Sequence, residues 1–116
     1  MKFLSIAVLA GLFSLVGAVE AAESDEVNLY SARKEQLIKP LLDKFTEESG
    51  IKVNLVTGGA DALLKRLQSE GKNTPADLLI TTDAGRLHRA KEVGVIQAVE
   101  SEALKTAIPE HLRDPE

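Results

Sequence analysis

The sequence contains no cysteine and no tryptophan, and its only aromatic residues are one tyrosine and three phenylalanines. Without cysteine there is no disulfide framework to support the fold and no thiol that could carry a lipid anchor. With so few aromatic side chains, a platform on which bases or sugars stack is not expected. A domain of this size must therefore be held together by the burial of aliphatic side chains.

The motifs of several enzyme and cofactor classes are also missing. No G-x-G-x-x-G follows a predicted strand, no G-x-x-x-x-G-K-[ST] occurs, and no H-E-x-x-H is present. His88 and His111 are far apart in sequence, so a zinc site is not indicated. Nothing assigns Ser31, His88 and Asp83 to a catalytic triad. We therefore name no catalytic residue and expect a protein that is not an enzyme.

Charge is distributed evenly along the chain. The formal net charge is −4, and basic and acidic residues are interleaved throughout. Because no basic patch is concentrated enough to follow a phosphate backbone, nucleic acid is not an expected partner.

The N-terminus has the pattern of a secretory signal peptide. Lys2 precedes an apolar run from Phe3 to Val16, and Val19 and Ala21 provide the small side chains that a signal peptidase reads. The run is short for a membrane-spanning helix, and acidic residues follow it at once. We predict cleavage after Ala21, with residues 1–21 as the leader. Residues 22–116 then form one periplasmic domain that is not embedded in the membrane.

Within that domain, three strand–helix pairs follow one another, which predicts an α/β fold with three parallel β-α units. The predicted strands are 27–30, 51–56 and 77–81, and the predicted helices are 33–49, 60–71 and 83–94. Pro40 is expected to kink or restart the first helix, whose apolar positions include Leu37, Leu41 and Phe45. A short helix capped by Ser101 is predicted before Ile108.

Small polar side chains follow each predicted strand. In an open parallel sheet, ligands bind beyond the carboxyl ends of the strands, where helix N-termini favour anions. The side chains expected at an anion-binding or cleft surface are Ser31, Arg33, Thr57, Thr82 and Asp83. Ordinary helix capping explains any one of these loops, but three at one sheet edge favour a cleft.

Three stretches of the chain are specific enough to indicate a family. YSARKEQLI, ADALLKRLQSEG and PADLLITTDAGRL resemble the N-terminal part of ferric-iron-binding periplasmic proteins, the substrate-binding components of iron ABC transporters. The resemblance implies a type II periplasmic-binding-protein fold with Fe3+ held between two lobes and an inner-membrane ABC permease as partner. Family members are longer, so this chain is expected to represent part of the N-terminal lobe. The sheet is then expected to keep an unpaired edge.

The resemblance carries over only some of the family's binding residues. The family's histidine ligand position is Lys34 here, its tyrosine position is Glu35, and its glutamate position is Thr82. The tyrosine pair that dominates ferric coordination lies in the second lobe, beyond the end of this chain. Arg33 is similar to the cleft arginine beside the iron and its synergistic anion. Two residues remain candidate metal ligands, Glu35 and Tyr30, although Tyr30 also fits a core-packing role.

These observations favour periplasmic ferric-iron binding. A protein of the same fold that binds an oxyanion, thiamine or phosphonate is an alternative, because Arg33 and the helix N-termini suit any anion. A small secreted α/β enzyme or an interaction domain is a more distant alternative, against which the missing catalytic motifs weigh.

Overall fold

The computed structural model describes residues 25–115, so the predicted leader lies outside the described residues. Three strands and four helices alternate in the order that the sequence predicts. They are β1 (Glu26–Ser31), α1 (Glu35–Ser49), β2 (Lys52–Thr57), α2 (Ala60–Glu70), β3 (Leu78–Ile80), α3 (Ala84–Glu92) and α4 (Glu102–Ala107), with 3₁₀ turns at Gly71–Asn73 and Glu110–Leu112.

The strands form one parallel sheet in the order β2-β1-β3. The chain passes from β1 to β2 in one direction and then returns over β1 to β3 in the other. Because such crossovers are right-handed, α1 and α2 cover opposite faces of the sheet. The three strands end at the same edge of the sheet, and α1, α2 and α3, which follow them, each begin there. The predicted α/β class with three parallel β-α units is confirmed.

The main core lies between the sheet and α2. Tyr30 of β1 packs against Leu63 and Leu67 of α2, and all three side chains are almost fully buried. Val56 and Leu79, which flank Tyr30 in register on the two neighbouring strands, complete this layer. Side chains alternate along a strand, so Leu29 faces the α1 side, where Ile38 is also buried.

A polar ladder crosses the sheet and fixes its register. The backbone N–H of Asn28 donates to the Asp77 carboxylate at 2.8 Å, and the Asp77 N–H donates to the Asn28 carbonyl at 2.8 Å. On the other side, the Asn54 side-chain amide donates to the Asn28 side-chain oxygen at 3.0 Å. Because a slip by one residue would break all of these bonds, the ladder specifies the pairing of all three strands.

Helix α1 differs from the sequence prediction in two respects. It starts at Glu35 instead of 33, because Lys34 has extended backbone angles and serves as the N-cap. It also continues without interruption through Pro40. The predicted restart of the helix at Pro40 is therefore wrong: Pro40 cannot donate a hydrogen bond to the Gln36 carbonyl, but the other backbone hydrogen bonds of the 15-residue helix keep it continuous. Gly50 ends the helix at a φ of 74°, the left-handed conformation that glycine adopts most easily.

The apolar positions of α1 divide into a buried and an exposed flank. Ile38 is buried, whereas Leu37 and Leu41 are 61% and 65% exposed. Leu78 of β3 is exposed as well, although the sequence predicts a strand buried on both faces. Leu78 is exposed because β3 is a three-residue strand at the edge of the sheet, with no further strand beside it between residues 25 and 115.

The C-terminal part of the described chain follows the prediction. The Asp83 side chain caps α3, and Ser101 caps α4 by accepting a hydrogen bond from the Leu104 N–H at 3.4 Å. Residues 95–99 form no regular secondary structure and lead from α3 to α4.

Candidate functional site

The loops that follow the three strands are joined to one another at the carboxyl edge of the sheet. The Ala32 N–H donates to the Ile80 carbonyl at 2.9 Å, which ties the first loop to the end of β3. On the other side, the Gly58 N–H donates to the Ser31 carbonyl at 3.2 Å. The loop after β1 is therefore held between the other two, and the predicted polar side chains share one surface.

Ser31 lies beneath this surface and orients the loop that follows β1. Its side chain is fully buried, and its hydroxyl accepts a hydrogen bond from the Arg33 N–H at 3.1 Å and donates to the Arg33 carbonyl at 3.4 Å. The hydroxyl is thus used within the loop, where it orients the backbone that carries Arg33. Arg33 itself is exposed, and its guanidinium is available to an oxyanion.

The three helix N-termini at this edge are not equivalent. Helices α1 and α2 begin after Lys34 and Gly59, and neither is capped by a side chain. Their first backbone N–H groups therefore remain available to water or a ligand. In contrast, the Asp83 carboxylate accepts hydrogen bonds from the Arg86 N–H at 2.9 Å and the Arg86 guanidinium at 2.6 Å. An anion can therefore reach the N-termini of α1 and α2, whereas the Asp83 carboxylate occupies the N-terminus of α3.

The pKa of Asp83 follows from this capping geometry. Its hydrogen bonds from the backbone N–H and then the guanidinium of Arg86 lower the pKa of the carboxyl below its ordinary value. Asp83 therefore stays negatively charged at the edge, which makes it a structural cap and a repulsive neighbour for an anion.

The remaining predicted edge residues are exposed. Thr57 ends β2, and Thr82 lies between β3 and the cap of α3. Glu35 lies in the first turn of α1, next to the loop that carries Arg33. Across residues 25–115, no three His, Asp or Glu side chains come together in a group that could hold a metal ion. The edge supplies at most single oxygen ligands, such as Glu35, beside a cationic loop.

Tyr30, the second candidate ligand, takes part in a different arrangement. Its hydroxyl donates to the Glu70 carboxylate at 2.9 Å. The same carboxylate accepts hydrogen bonds from the Arg66 guanidinium at 2.6 Å and from the Thr74 hydroxyl at 2.7 Å. The guanidinium carbon of Arg66 also lies 4.9 Å from the centre of the Tyr30 ring, within the range of a cation–π contact.

This arrangement holds the phenol in its neutral form. Burial raises the pKa of Tyr30, and the hydrogen bond to Glu70 raises it further. Hydrogen bonds from Arg66 and then Thr74 lower the pKa of Glu70. Helix α2 starts at the carboxyl edge and Glu70 is its last residue, so the phenol is directed along α2 away from the edge. The geometry favours the packing role of Tyr30 over the ligand role.

The same contacts distinguish the charged residues of α2 from one another. Lys65 is exposed, but Arg66 and Glu70 lie over Tyr30, and the Glu70 side chain is only 21% exposed. The (i, i+4) spacing of Arg66 and Glu70 indicates an ion pair in a helix. Their contact with β1, however, depends on how α2 sits on the sheet.

A parallel sheet with polar loops at the carboxyl ends of its strands is typical of α/β domains that bind small ligands at that edge. Residues 27–108 match the sequence model of the bacterial extracellular solute-binding proteins, and the chain belongs to this family. A Synechocystis relative, "Iron uptake protein A1", is 54% identical over 94 residues, which cover 81% of this chain and 26% of the relative. A "Fe(3+)-binding periplasmic protein" of Serratia marcescens is 38% identical over 80 residues, which cover 68% of this chain and 24% of that protein.

Solved structures have the same fold. A Trichodesmium protein in complex with iron and citrate has a TM-score of 0.74 and 48% identity, over 78% of this chain and 29% of that one. A ferric-binding protein from Campylobacter jejuni has a TM-score of 0.73 and 45% identity, over 77% of this chain and 28% of that one. The chain spans about a quarter of the length of the curated relatives it matches. Between residues 25 and 115, no helix is long and apolar enough to span a membrane.

Proposed function

We propose that this chain forms one wall of a cleft that binds ferric iron in the periplasm, from which the iron passes to an ABC importer of the inner membrane. One observation carries the proposal most directly. The chain shares its fold and 48% of its aligned residues with a protein that holds iron and citrate. On this proposal the protein binds and delivers its cargo and does not act as an enzyme.

The polar edge gives each residue a role in this proposal. Ferric iron is a small, highly charged cation that is bound by anionic oxygen ligands, and it arrives with accompanying anions. Arg33, next to the uncapped start of α1, is the group on this wall suited to such an anion. Glu35 is the candidate oxygen ligand, and Thr57 and Thr82 are hydroxyl donors at the rim. Tyr30 remains in the core, and the main iron ligands lie outside residues 25–115.

The role of Arg33 is testable in a chimera. Residues 25–115 would replace the matching segment of the Synechocystis iron uptake protein A1, with which they share about half of their residues. In this chimera, Arg33→Gln removes the guanidinium fork at the edge. As a matched control, Lys72→Gln removes a positive charge from the turn after α2, at the other end of that helix. Circular dichroism would establish that each protein is folded.

The two variants should then differ in their binding of ferric citrate. Removing one charged hydrogen-bonding group costs about 1.5–3 kcal/mol, or roughly a 10- to 100-fold loss of affinity. We expect a loss of this size for Arg33→Gln and none for Lys72→Gln. A folded chimera that binds ferric citrate equally well with and without Arg33 would refute the assigned role of this wall.

A further inference from the structure

The Arg33 side chain is held at the carboxyl edge only through its own backbone. It is exposed, and no hydrogen bond or ion pair engages its guanidinium within residues 25–115. Arg86 at the same edge is different, because its guanidinium lies 2.6 Å from the Asp83 carboxylate. The place of the Arg33 guanidinium therefore depends on how the loop after β1 is fixed.

The first two residues of this loop are fixed to the neighbouring strands, and the third is fixed by Ser31. The Ser31 carbonyl accepts a hydrogen bond from the Gly58 N–H at 3.2 Å. The Ala32 N–H donates to the Ile80 carbonyl at 2.9 Å. Neither bond reaches Arg33, whose N–H donates to the Ser31 hydroxyl at 3.1 Å and whose carbonyl accepts from it at 3.4 Å. Of residues 25–115, Ser31 alone makes a hydrogen bond to Arg33.

The burial of Ser31 limits what its hydroxyl can do. The side chain is fully buried, and the two bonds to Arg33 use its proton and one of its lone pairs. A buried hydroxyl does not touch a ligand that binds at the edge above it. Any effect of this hydroxyl on ligand affinity must therefore pass through the loop, and the group of that loop suited to an anion is Arg33.

We propose that Ser31 is a positioning residue of the ferric cleft, which raises ligand affinity by fixing the backbone of Arg33 before the ligand arrives. The inference rests on the proposed function, because it acts through the role given there to Arg33. A binding group that is already ordered loses less conformational freedom when the ligand binds, so the affinity is higher. The loss of the hydroxyl should accordingly weaken binding only while the Arg33 guanidinium is present.

A double-mutant cycle in the chimera with the Synechocystis iron uptake protein A1 tests this dependence. Ser31→Ala removes one oxygen atom and adds no volume at the buried position. We expect it to weaken ferric citrate binding by roughly five- to tenfold, the effect of one lost hydrogen bond. In the Arg33→Gln background, the same Ser31→Ala change should weaken binding by less than about twofold, because residues that act as a unit are not additive.

Thr74 offers a matched control at the other end of α2. Its hydroxyl accepts a hydrogen bond from the Ala76 N–H at 3.2 Å, the same two-residue spacing as between Ser31 and Arg33. Thr74→Val removes this bond far from the carboxyl edge. We expect ferric citrate binding to be unchanged in this variant, even where its melting temperature falls as far as that of Ser31→Ala. Circular dichroism would establish that each chimera is folded.

Hydrogen–deuterium exchange of the ligand-free chimera measures the Ser31–Arg33 bond by itself. The peptide that carries the Arg33 amide should exchange faster in Ser31→Ala and at the original rate in Thr74→Val. Unchanged exchange in Ser31→Ala, unchanged affinity, or an equal loss of affinity with and without Arg33 would overturn the positioning role. If Arg33→Gln alone leaves binding intact, the proposed function of this wall fails and the role of Ser31 in binding fails with it. The exchange measurement separates this case, because it reports the loop geometry without any ligand.

Discussion

The two leucine-bearing helix faces should respond very differently to the same truncation. Leu67 of α2 is 5% exposed and packs in the core cluster with Tyr30 and Leu63. Leu41 of α1 is 65% exposed and lies on the open flank of that helix. Leu67→Ala and Leu41→Ala therefore remove the same atoms from a buried and from an open position.

The magnitudes follow from burial. Leu67→Ala removes buried methyl groups and leaves a cavity between α2 and the sheet, which costs about 2–5 kcal/mol of unfolding free energy. A domain is stable by only about 5–15 kcal/mol, so this loss is a large share of the total. Leu41→Ala removes atoms that already contact water, and its effect should stay within about 0.5 kcal/mol.

Urea unfolding followed by circular dichroism measures both effects. It should be carried out at low protein concentration, so that self-association does not bury the open flank of α1 in the folded reference. We expect a clear fall in the midpoint for Leu67→Ala and an almost unchanged midpoint for Leu41→Ala. Equal losses for the two variants would refute the assignment of Leu41 to the open flank of α1.

Four further predictions follow from the polar contacts and the N-terminus. Glu70→Gln removes the negative charge that accepts the Tyr30 hydrogen bond, so the pKa of this single tyrosine should fall toward its ordinary value. An ultraviolet titration measures this pKa, and an unchanged titration curve would contradict the Tyr30–Glu70 contact. In the unaltered chain folding lowers the pKa of Glu70, so the carboxylate stabilises the fold at neutral pH and this stabilisation is lost as the pH falls through the folded pKa. The melting temperature of Glu70→Gln should therefore fall less over that acidic range than the melting temperature of the unaltered chain. Asp83→Ala should lower the melting temperature more than Asp83→Asn, because asparagine retains a capping oxygen; equal effects would argue against the cap. N-terminal sequencing of exported chain should begin at Ala22 or within a residue or two, and a product that keeps Phe3 to Val16 would contradict leader cleavage.

The order of the elements could be predicted from the sequence because each one is specified locally. The alternation of short apolar runs with helical periodicity, the left-handed glycine at Gly50 and the caps at Asp83 and Ser101 are all signals of a few residues. Such signals depend on backbone sterics and on single hydrogen bonds. These signals can therefore be recognised in the sequence without knowledge of the tertiary fold.

The errors arise where one element meets another. Periodicity marks Leu37, Leu41 and Leu78 as apolar, but it does not reveal whether another element covers them. The Tyr30–Glu70 contact joins residues 40 positions apart and depends on the placement of α2 over β1. For the same reason the sequence identifies the edge loops as a group, whereas the inward use of the Ser31 hydroxyl is seen only in the structure.

A titration with ferric citrate, followed by visible absorbance, tests most directly whether this chain forms one wall of a ferric cleft. The chain alone offers a cationic loop and at most single oxygen ligands at its edge, with its tyrosine held by Glu70. We expect no phenolate-to-iron charge-transfer band and at most weak binding from the chain alone. The chimera with the Synechocystis iron uptake protein A1 should show the band and bind tightly. Tight, coloured binding by the chain alone, or a folded chimera that fails to bind, would contradict the account.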